Sequence, residues 1–151
     1  MKKLILSLFV GFSLYATACA DSKSVVIRPA ELPAAAQNFL KKHFSTLTIN
    51  QVTVENKLFG KEYEVKLAGG GEIEFDKNGD WTKIDCQRNA LPETAVPAKI
   101  LEYVKQNYPN HFVSSVERED NGGYDVEIRH LNLDHEIDLE FDSRGEFLRI
   151  D

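Results

Sequence analysis

Few side chains in this sequence are spaced for chemistry. Cys86 is a candidate nucleophile, but a reactive thiol needs a nearby base or cation to hold it as thiolate, and no histidine lies near it in the chain. With Ile84 just before it marking the end of a strand, Cys86 reads as a half-buried, unreactive thiol. His130, Asp134 and His135 flank a short loop and carry metal-binding atoms. Zinc sites draw on three or four converging protein ligands, so this set reads as a solvated loop. The run Asp76-Lys77-Asn78-Gly79-Asp80 is oxygen-rich like a calcium loop. Its glycine falls too early for that geometry and the distal bidentate acid is missing, which leaves a β-turn. A nucleophile elbow, a phosphate-binding glycine loop, a paired zinc motif and a kinase signature are all absent from the sequence. Carboxylates are plentiful, but acid–base catalysis needs them enclosed and shifted in pKa, not lining an open strand. No catalytic residue, metal ligand or cofactor is assigned on this reading, and the chain is expected not to be an enzyme.

Most of those carboxylates lie on segments that alternate with a period of two. Tyr63-Glu-Val-Lys-Leu67, Glu72-Ile-Glu-Phe-Asp76, Tyr124-Asp-Val-Glu-Ile128 and Glu136-Ile-Asp-Leu-Glu-Phe-Asp142 read as half-buried antiparallel strands. Ala68 to Gly71 and Arg129 to His135 serve as hairpin loops. Asp76-Lys-Asn-Gly79 and Asp142-Ser-Arg-Gly145 are turn signatures leading into last strands at Trp81–Asp85 and Phe147–Asp151. Thr48 to Glu55 and Val113 to Glu119 read more weakly as a first strand in each half.

Upstream of each strand set the period changes to that of a helix. Leu32, Pro33, Ala36, Phe39, Leu40 and Phe44 correspond, at an offset of 64, to Val96, Pro97, Ile100, Tyr103, Val104 and Tyr108. Both sets keep the i, i+4, i+7, i+8, i+12 spacing of an apolar helical stripe. Helices are expected at about 33–44 and 97–107, with Pro109 stopping the second. The predicted fold is α+β, in two tandem repeats of one helix followed by a four-stranded antiparallel meander. One unit of about 60 residues is marginal alone. Two are expected to join into a sheet of about eight strands, with both helices on one face. The expected boundaries are a signal peptide at 1–20, a linker at 21–30, repeat 1 at 31–86, a linker at 87–92 and repeat 2 at 93–151.

The first 20 residues set the compartment. Met1-Lys2-Lys3 is a basic start and Leu4 to Ala18 carries no charge, the shape of a bacterial signal peptide rather than a full membrane span. Ala18-Cys19-Ala20 is a small-x-small cleavage site, and Ala16-Thr17-Ala18-Cys19 is an imperfect lipoprotein box. Two products stay open: a soluble periplasmic or secreted chain, and a lipoprotein held on the outer membrane through Cys19. In either product Cys86 has no intramolecular disulfide partner, so stability must come from an apolar core. The formal charge of −6 becomes more negative when Lys2 and Lys3 leave, which argues against binding nucleic acid.

Strand alternation sorts the faces. With Tyr63, Val65, Leu67, Ile73, Phe75 and Ile84 inward, Glu64, Lys66, Glu72, Glu74, Asp76, Trp81, Lys83 and Asp85 point outward. With Tyr124, Val126, Ile128, Ile137, Leu139, Phe141, Leu148 and Ile150 inward, the second half presents Asp125, Glu127, Arg129, Glu136, Asp138, Glu140, Asp142, Phe147, Arg149 and Asp151. Trp81 and Phe147, two residues after each turn glycine, would be contact anchors on this acidic face. A strand bulge would instead turn each inward.

Leu32-Pro-Ala-Ala-Ala36 with Phe44, then Tyr63 to Leu67, Glu72 to Asp76, Asn78-Gly79, Trp81 and Ile84-Asp85, resembles the PepSY-like family of beta-lactamase-inhibitor-like envelope proteins. The likeness runs over residues 30–151 and occurs twice. It implies a helix-plus-meander repeat in an exported, non-catalytic protein without an assigned biochemical role. The beta-lactamase inhibitory protein grouped with this family grips an enzyme through its open sheet face and loops. Its paired cysteines are missing here, and no inhibitory residue carries over. The expected function is an exported binding module that holds a cationic envelope or secreted protein or peptide, with Trp81, Phe147, Glu64, Glu72, Glu74, Asp125, Glu127, Asp138 and Glu140 as contact residues. The alternative is weak binding of calcium or another cation by the clustered acids.

Overall fold

The computed structural model describes residues 23–151; the expected signal peptide and Cys19 lie outside them. Its elements are β1 (Val25–Ile27), α1 (Ala34–His43), β2 (Ile49–Lys57), β3 (Gly60–Leu67), β4 (Gly71–Phe75) and β5 (Trp81–Asp85). They continue with α2 (Ala98–Asn107), β6 (His111–Arg118), β7 (Tyr124–His130), β8 (Glu136–Phe141) and β9 (Phe147–Ile150). Pro33 and Pro97 stand immediately before the first helical residues, where a missing N–H costs nothing. Short 3-10 turns, Pro29–Glu31 and Glu93–Ala95, precede each helix. Among the described residues no helix is long and apolar enough to cross a membrane.

The strands form one antiparallel sheet in which spatial order equals chain order, β1 to β9. The sheet therefore has nine strands where about eight were expected. The extra one is the β-branched run Val25–Ile27, which pairs with Val54 to Val52 of β2 inside the segment read as a linker.

Register explains the core. Ile27, Val52, Val65, Ile73, Ile84, Val116, Val126, Leu139 and Ile150 sit directly opposite one another in turn, a single apolar row crossing all nine strands. Its central members, Val65, Ile73, Ile84 and Val116, have no exposed surface. Ala36 and Leu40 of α1 and Ile100 and Val104 of α2 belong to the same buried cluster. Ring contacts repeat between the halves. Phe39 meets Phe75 edge-on at 5.8 Å, and Tyr103 meets Phe141 edge-on at 5.4 Å. Such geometry places a positive ring edge against a negative ring face.

Candidate functional site

The opposite side of the sheet is a charged surface laid out by the same register. One transverse row reads Thr53, Glu64, Glu74, Lys83, Glu117, Asp125, Glu140, Arg149. The next reads Gln51, Lys66, Glu72, Asp85, Ser115, Glu127, Asp138, and Asp151 continues it by donating its backbone N–H to the Asp138 carbonyl. Sequence analysis left the face of β6 open; the register assigns Ser115 and Glu117 to this surface. Glu64, Glu72, Glu74, Asp125, Glu127, Asp138 and Glu140 all lie in these two rows. Glu64 stands directly opposite Glu74, Asp125 opposite Glu140, and Glu127 opposite Asp138. Like charges so placed repel.

Ion pairs relieve part of that repulsion. Lys66 reaches Glu64 at 2.9 Å, Lys83 reaches Glu72 at 3.5 Å, and Arg149 pairs with Glu140. At one end of the face Arg129 gathers Glu127, Glu136 and Asp134. The hydroxyl of buried Ser114 donates to Glu127 Oε1, anchoring that carboxylate from below. The rows border an open concavity of about 300 Å³ lined by Lys83, Asp85, Ser115, Glu117, Asp125, Glu127, Asp138 and Asp151. Among the described residues no three or more His, Cys, Asp or Glu side chains are placed to hold a metal ion.

Crowding shifts the titration of these acids. Partial burial, followed by the charges of neighbouring carboxylates, pushes Glu74, Asp125 and Asp138 above the ordinary carboxylate range. Burial works against charged Lys83, but Glu72, Glu74, Glu117 and Asp85 more than offset it and raise its pKa. A raised carboxyl pKa means that the folded chain holds its proton more tightly than the unfolded chain. The group then favours folding below its unfolded value, and that advantage is lost as pH rises through its folded value. Asp138→Asn is therefore expected to stabilise the protein at pH 7 by a few tenths to about 1 kcal/mol, given solvent screening. The gain should vanish as pH falls toward 3.8. Thermal midpoints of both chains across a pH series measure it, and a gain that ignores pH would contradict the account.

Both proposed aromatic anchors are corrected. β-Bulges between Glu74 and Phe75 and between Glu140 and Phe141 add a residue to β5 and β9, so Trp81 stands opposite Phe75, and Phe147 opposite Phe141, on the helix side. Trp81 is 9% exposed, set between Phe39 and Tyr124 with the Arg118 guanidinium 4.1 Å above its ring. Phe147 stacks on Tyr103 at 4.7 Å. The second bulge also reverses Leu148, expected inward: it is exposed beside Asp125, Glu140 and Arg149. Ile150 keeps its helix-side place opposite Leu139 but, on the edge strand, remains exposed. Since Trp81 is the single tryptophan, native fluorescence is expected to be blue-shifted and poorly quenched by acrylamide, turning red only on unfolding. Emission at the solvated limit in the native state would contradict that placement.

The other chemical candidates have structural roles. Cys86 is buried, and burial followed by the charge of Asp85 pushes its thiol up to about 11, far from thiolate at neutral pH. Asp76 Oδ1 accepts the backbone N–H groups of Asn78 and Asp80, and Asp142 Oδ1 those of Arg144 and Glu146. Both acids fasten turns. His130 Nδ1 accepts from Asn132 and Leu133 and shapes the β7–β8 loop, and Asp134 pairs with Arg88 and Arg129.

An α+β protein with one face of a single antiparallel sheet packed and the other open and acidic is the class these observations define. The family described as "Putative beta-lactamase-inhibitor-like, PepSY-like" matches residues 18–68 and again 61–149, and the chain belongs to it. No curated protein shows significant similarity. Among solved structures, a "putative periplasmic protein" from Bacteroides vulgatus is 32% identical, with a TM-score of 0.77 over 87% of this chain and 98% of that one. A "putative calcium-regulated periplasmic protein" from Bacteroides thetaiotaomicron is 33% identical, with a TM-score of 0.76 over 85% and 96%. A second protein from Bacteroides vulgatus, described as a "putative periplasmic protein of unknown function", is 36% identical, with a TM-score of 0.74 over 85% and 99%.

Proposed function

We propose that this chain is a periplasmic, non-enzymatic binding module, a duplicated helix-plus-meander unit that holds a cationic protein or peptide against its open sheet face. The observation that carries this reading is the pair of transverse carboxylate rows. They place Glu64, Glu72, Glu74, Glu117, Asp125, Glu127, Asp138 and Glu140 on one rigid surface with too few bases to balance them. Periplasmic relatives of similar sequence and fold support the compartment. With Trp81 and Phe147 in the core, the apolar contribution on this face falls to Leu148. Affinity then rests on charge, which speeds encounter more than it deepens binding. Crosslinking capture from envelope extract tests the reading, comparing the native chain with a Glu74→Gln/Asp125→Asn/Asp138→Asn variant. The native chain should retain a basic partner whose association rate falls with added salt, and the variant should lose most of it. Equal capture by both chains would sink the proposal.

A second reading is favoured by one relative, the protein described as calcium-regulated. On this reading the acid-lined concavity beside Asp85, Glu117, Asp125 and Asp138 holds calcium weakly and through its hydration shell, since no three of the described acids are placed to ligate it directly. Titration calorimetry and thermal shift with calcium, reversed by chelator, separate the two. Absence of both heat and shift removes this second reading and leaves the first untouched.

A further inference from the structure

The β2–β3 hairpin breaks a local rule. Two-residue hairpin turns are usually built from Asn, Asp and Gly, which tolerate the backbone and welcome water. Here the residues between paired Lys57 and Gly60 are Leu58 and Phe59, 90% and 87% exposed and the most exposed large apolar side chains described. The ribbon carrying them outruns its neighbours. β1 pairs with β2 only as far as Val54, and β4 with β3 only as far as Tyr63, so the pairs from Glu55↔Glu62 to Lys57↔Gly60 project beyond the sheet. Nothing in the core requires apolar residues at the end of that stalk. Paired apolar side chains held out in water mark a contact surface.

The surroundings of the tip point to the chemistry of the contact. Lys57 is engaged by Glu55 and Glu62, but among the described residues Lys61 and Lys77 make no ion pair. The Lys77 stem runs beside Gly60, so both free ammonium groups stand next to the tip. The carboxylate rows begin at Glu64, five residues from Phe59. Those rows stand about 17 Å away along an extended strand, roughly twice the screening length at physiological salt, while the nearer Glu55 and Glu62 are both engaged by Lys57. The tip is thus an apolar pair with a cationic collar on an otherwise acidic molecule. The chain also enters the sheet at this end. Val25 lies opposite Val54 and Ile27 opposite Val52, so β1 begins on the tip side of the sheet.

We propose that the β2–β3 tip is a membrane-surface anchor. Leu58 and Phe59 enter the acyl-chain boundary of an anionic phospholipid layer while Lys61 and Lys77 meet the headgroup phosphates. A shallow two-residue wedge binds reversibly and leaves the carboxylate rows facing water, so this contact is independent of the partner proposed above.

The test uses the full chain carrying Phe59→Trp, with buried Trp81 as an internal reference, and vesicles of equal parts phosphatidylglycerol and phosphatidylethanolamine with acyl-brominated lipid. The introduced indole is expected to shift blue and to be quenched by the brominated chains while Trp81 is not. Lys61→Gln and Lys77→Gln should each weaken vesicle partition about fivefold at low salt, and Leu58→Ser should reduce quenching with an unchanged thermal midpoint. An indole that stays solvent-like in the presence of vesicles, even when the chain sediments with them, would overturn the proposal. So would a blue shift that grows with protein concentration alone, since that would identify a second copy as the occupant. Quenching indifferent to both lysine changes would overturn it as well.

Discussion

Truncating Phe75 or Phe141 to alanine is expected to cost about 3–5 kcal/mol, the usual range for a buried phenylalanine. Phe75 has no exposed surface and Phe141 is 2% exposed. Each ring lies under the aromatic side chain of a helix, Phe39 over Phe75 and Tyr103 over Phe141, so its removal leaves a cavity that only a shift of the whole helix would close. Urea unfolding, with an unchanged denaturant slope, measures the loss. A cost below about 1 kcal/mol for either would mean that its ring is not where the register puts it.

Gly79→Ala should be nearly as damaging, for a different reason. Gly79 adopts φ 87°, a left-handed conformation, and a Cβ there would lie 2.8 Å from the Ala36 backbone nitrogen and from Pro33 Cβ at the start of α1. Strain of about 1–2 kcal/mol then adds to displacement of the helix, for a loss of about 2–4 kcal/mol. Gly145 is the counterpart in the second half, at φ 77°, but its nearest neighbour is Lys99 Cβ at 3.2 Å, a contact that a small adjustment of α2 relieves. Gly145→Ala should cost only the conformational part, about 1–2 kcal/mol. Equal losses at the two sites would show that contact with α1 contributes nothing.

Elements with strong periodicity were legible in the sequence. The stripe from Leu32 to Phe44 and its counterpart from Val96 to Tyr108 located both helices, and alternation in Tyr63–Leu67 and Tyr124–Ile128 located strands facing the right way. Alternation failed where one residue was inserted. The bulges at Thr82 and Leu148, one residue after Trp81 and Phe147, put both aromatic rings on the helix side and expose Leu148, and nothing in the local composition announces them. A pattern argument carries phase from one residue to the next, so an undetected bulge flips everything beyond it. Val25–Ile27 was missed because three residues are too few to show a period, although a β-branched run was its available signal. All seven of the charged contact residues named from sequence fall into the two rows. The way those rows line up across all the strands rests on register, which only the paired backbone reveals. The Leu58–Phe59 tip had a readable signal, two large apolar residues immediately before Gly60 where turn chemistry expects polar ones.

A sheet in which every strand pairs only with its neighbours in the chain never makes an early strand wait for a late one. Exported chains emerge from the translocation pore amino terminus first, in an extended state and beside a membrane. For this topology each new strand can close on the last as soon as it appears, through short turns within each half and across a single helix at β1–β2 and β5–β6. The exposed strand edge that invites misassembly simply advances along the chain, coming to rest at β9, which is only four residues long.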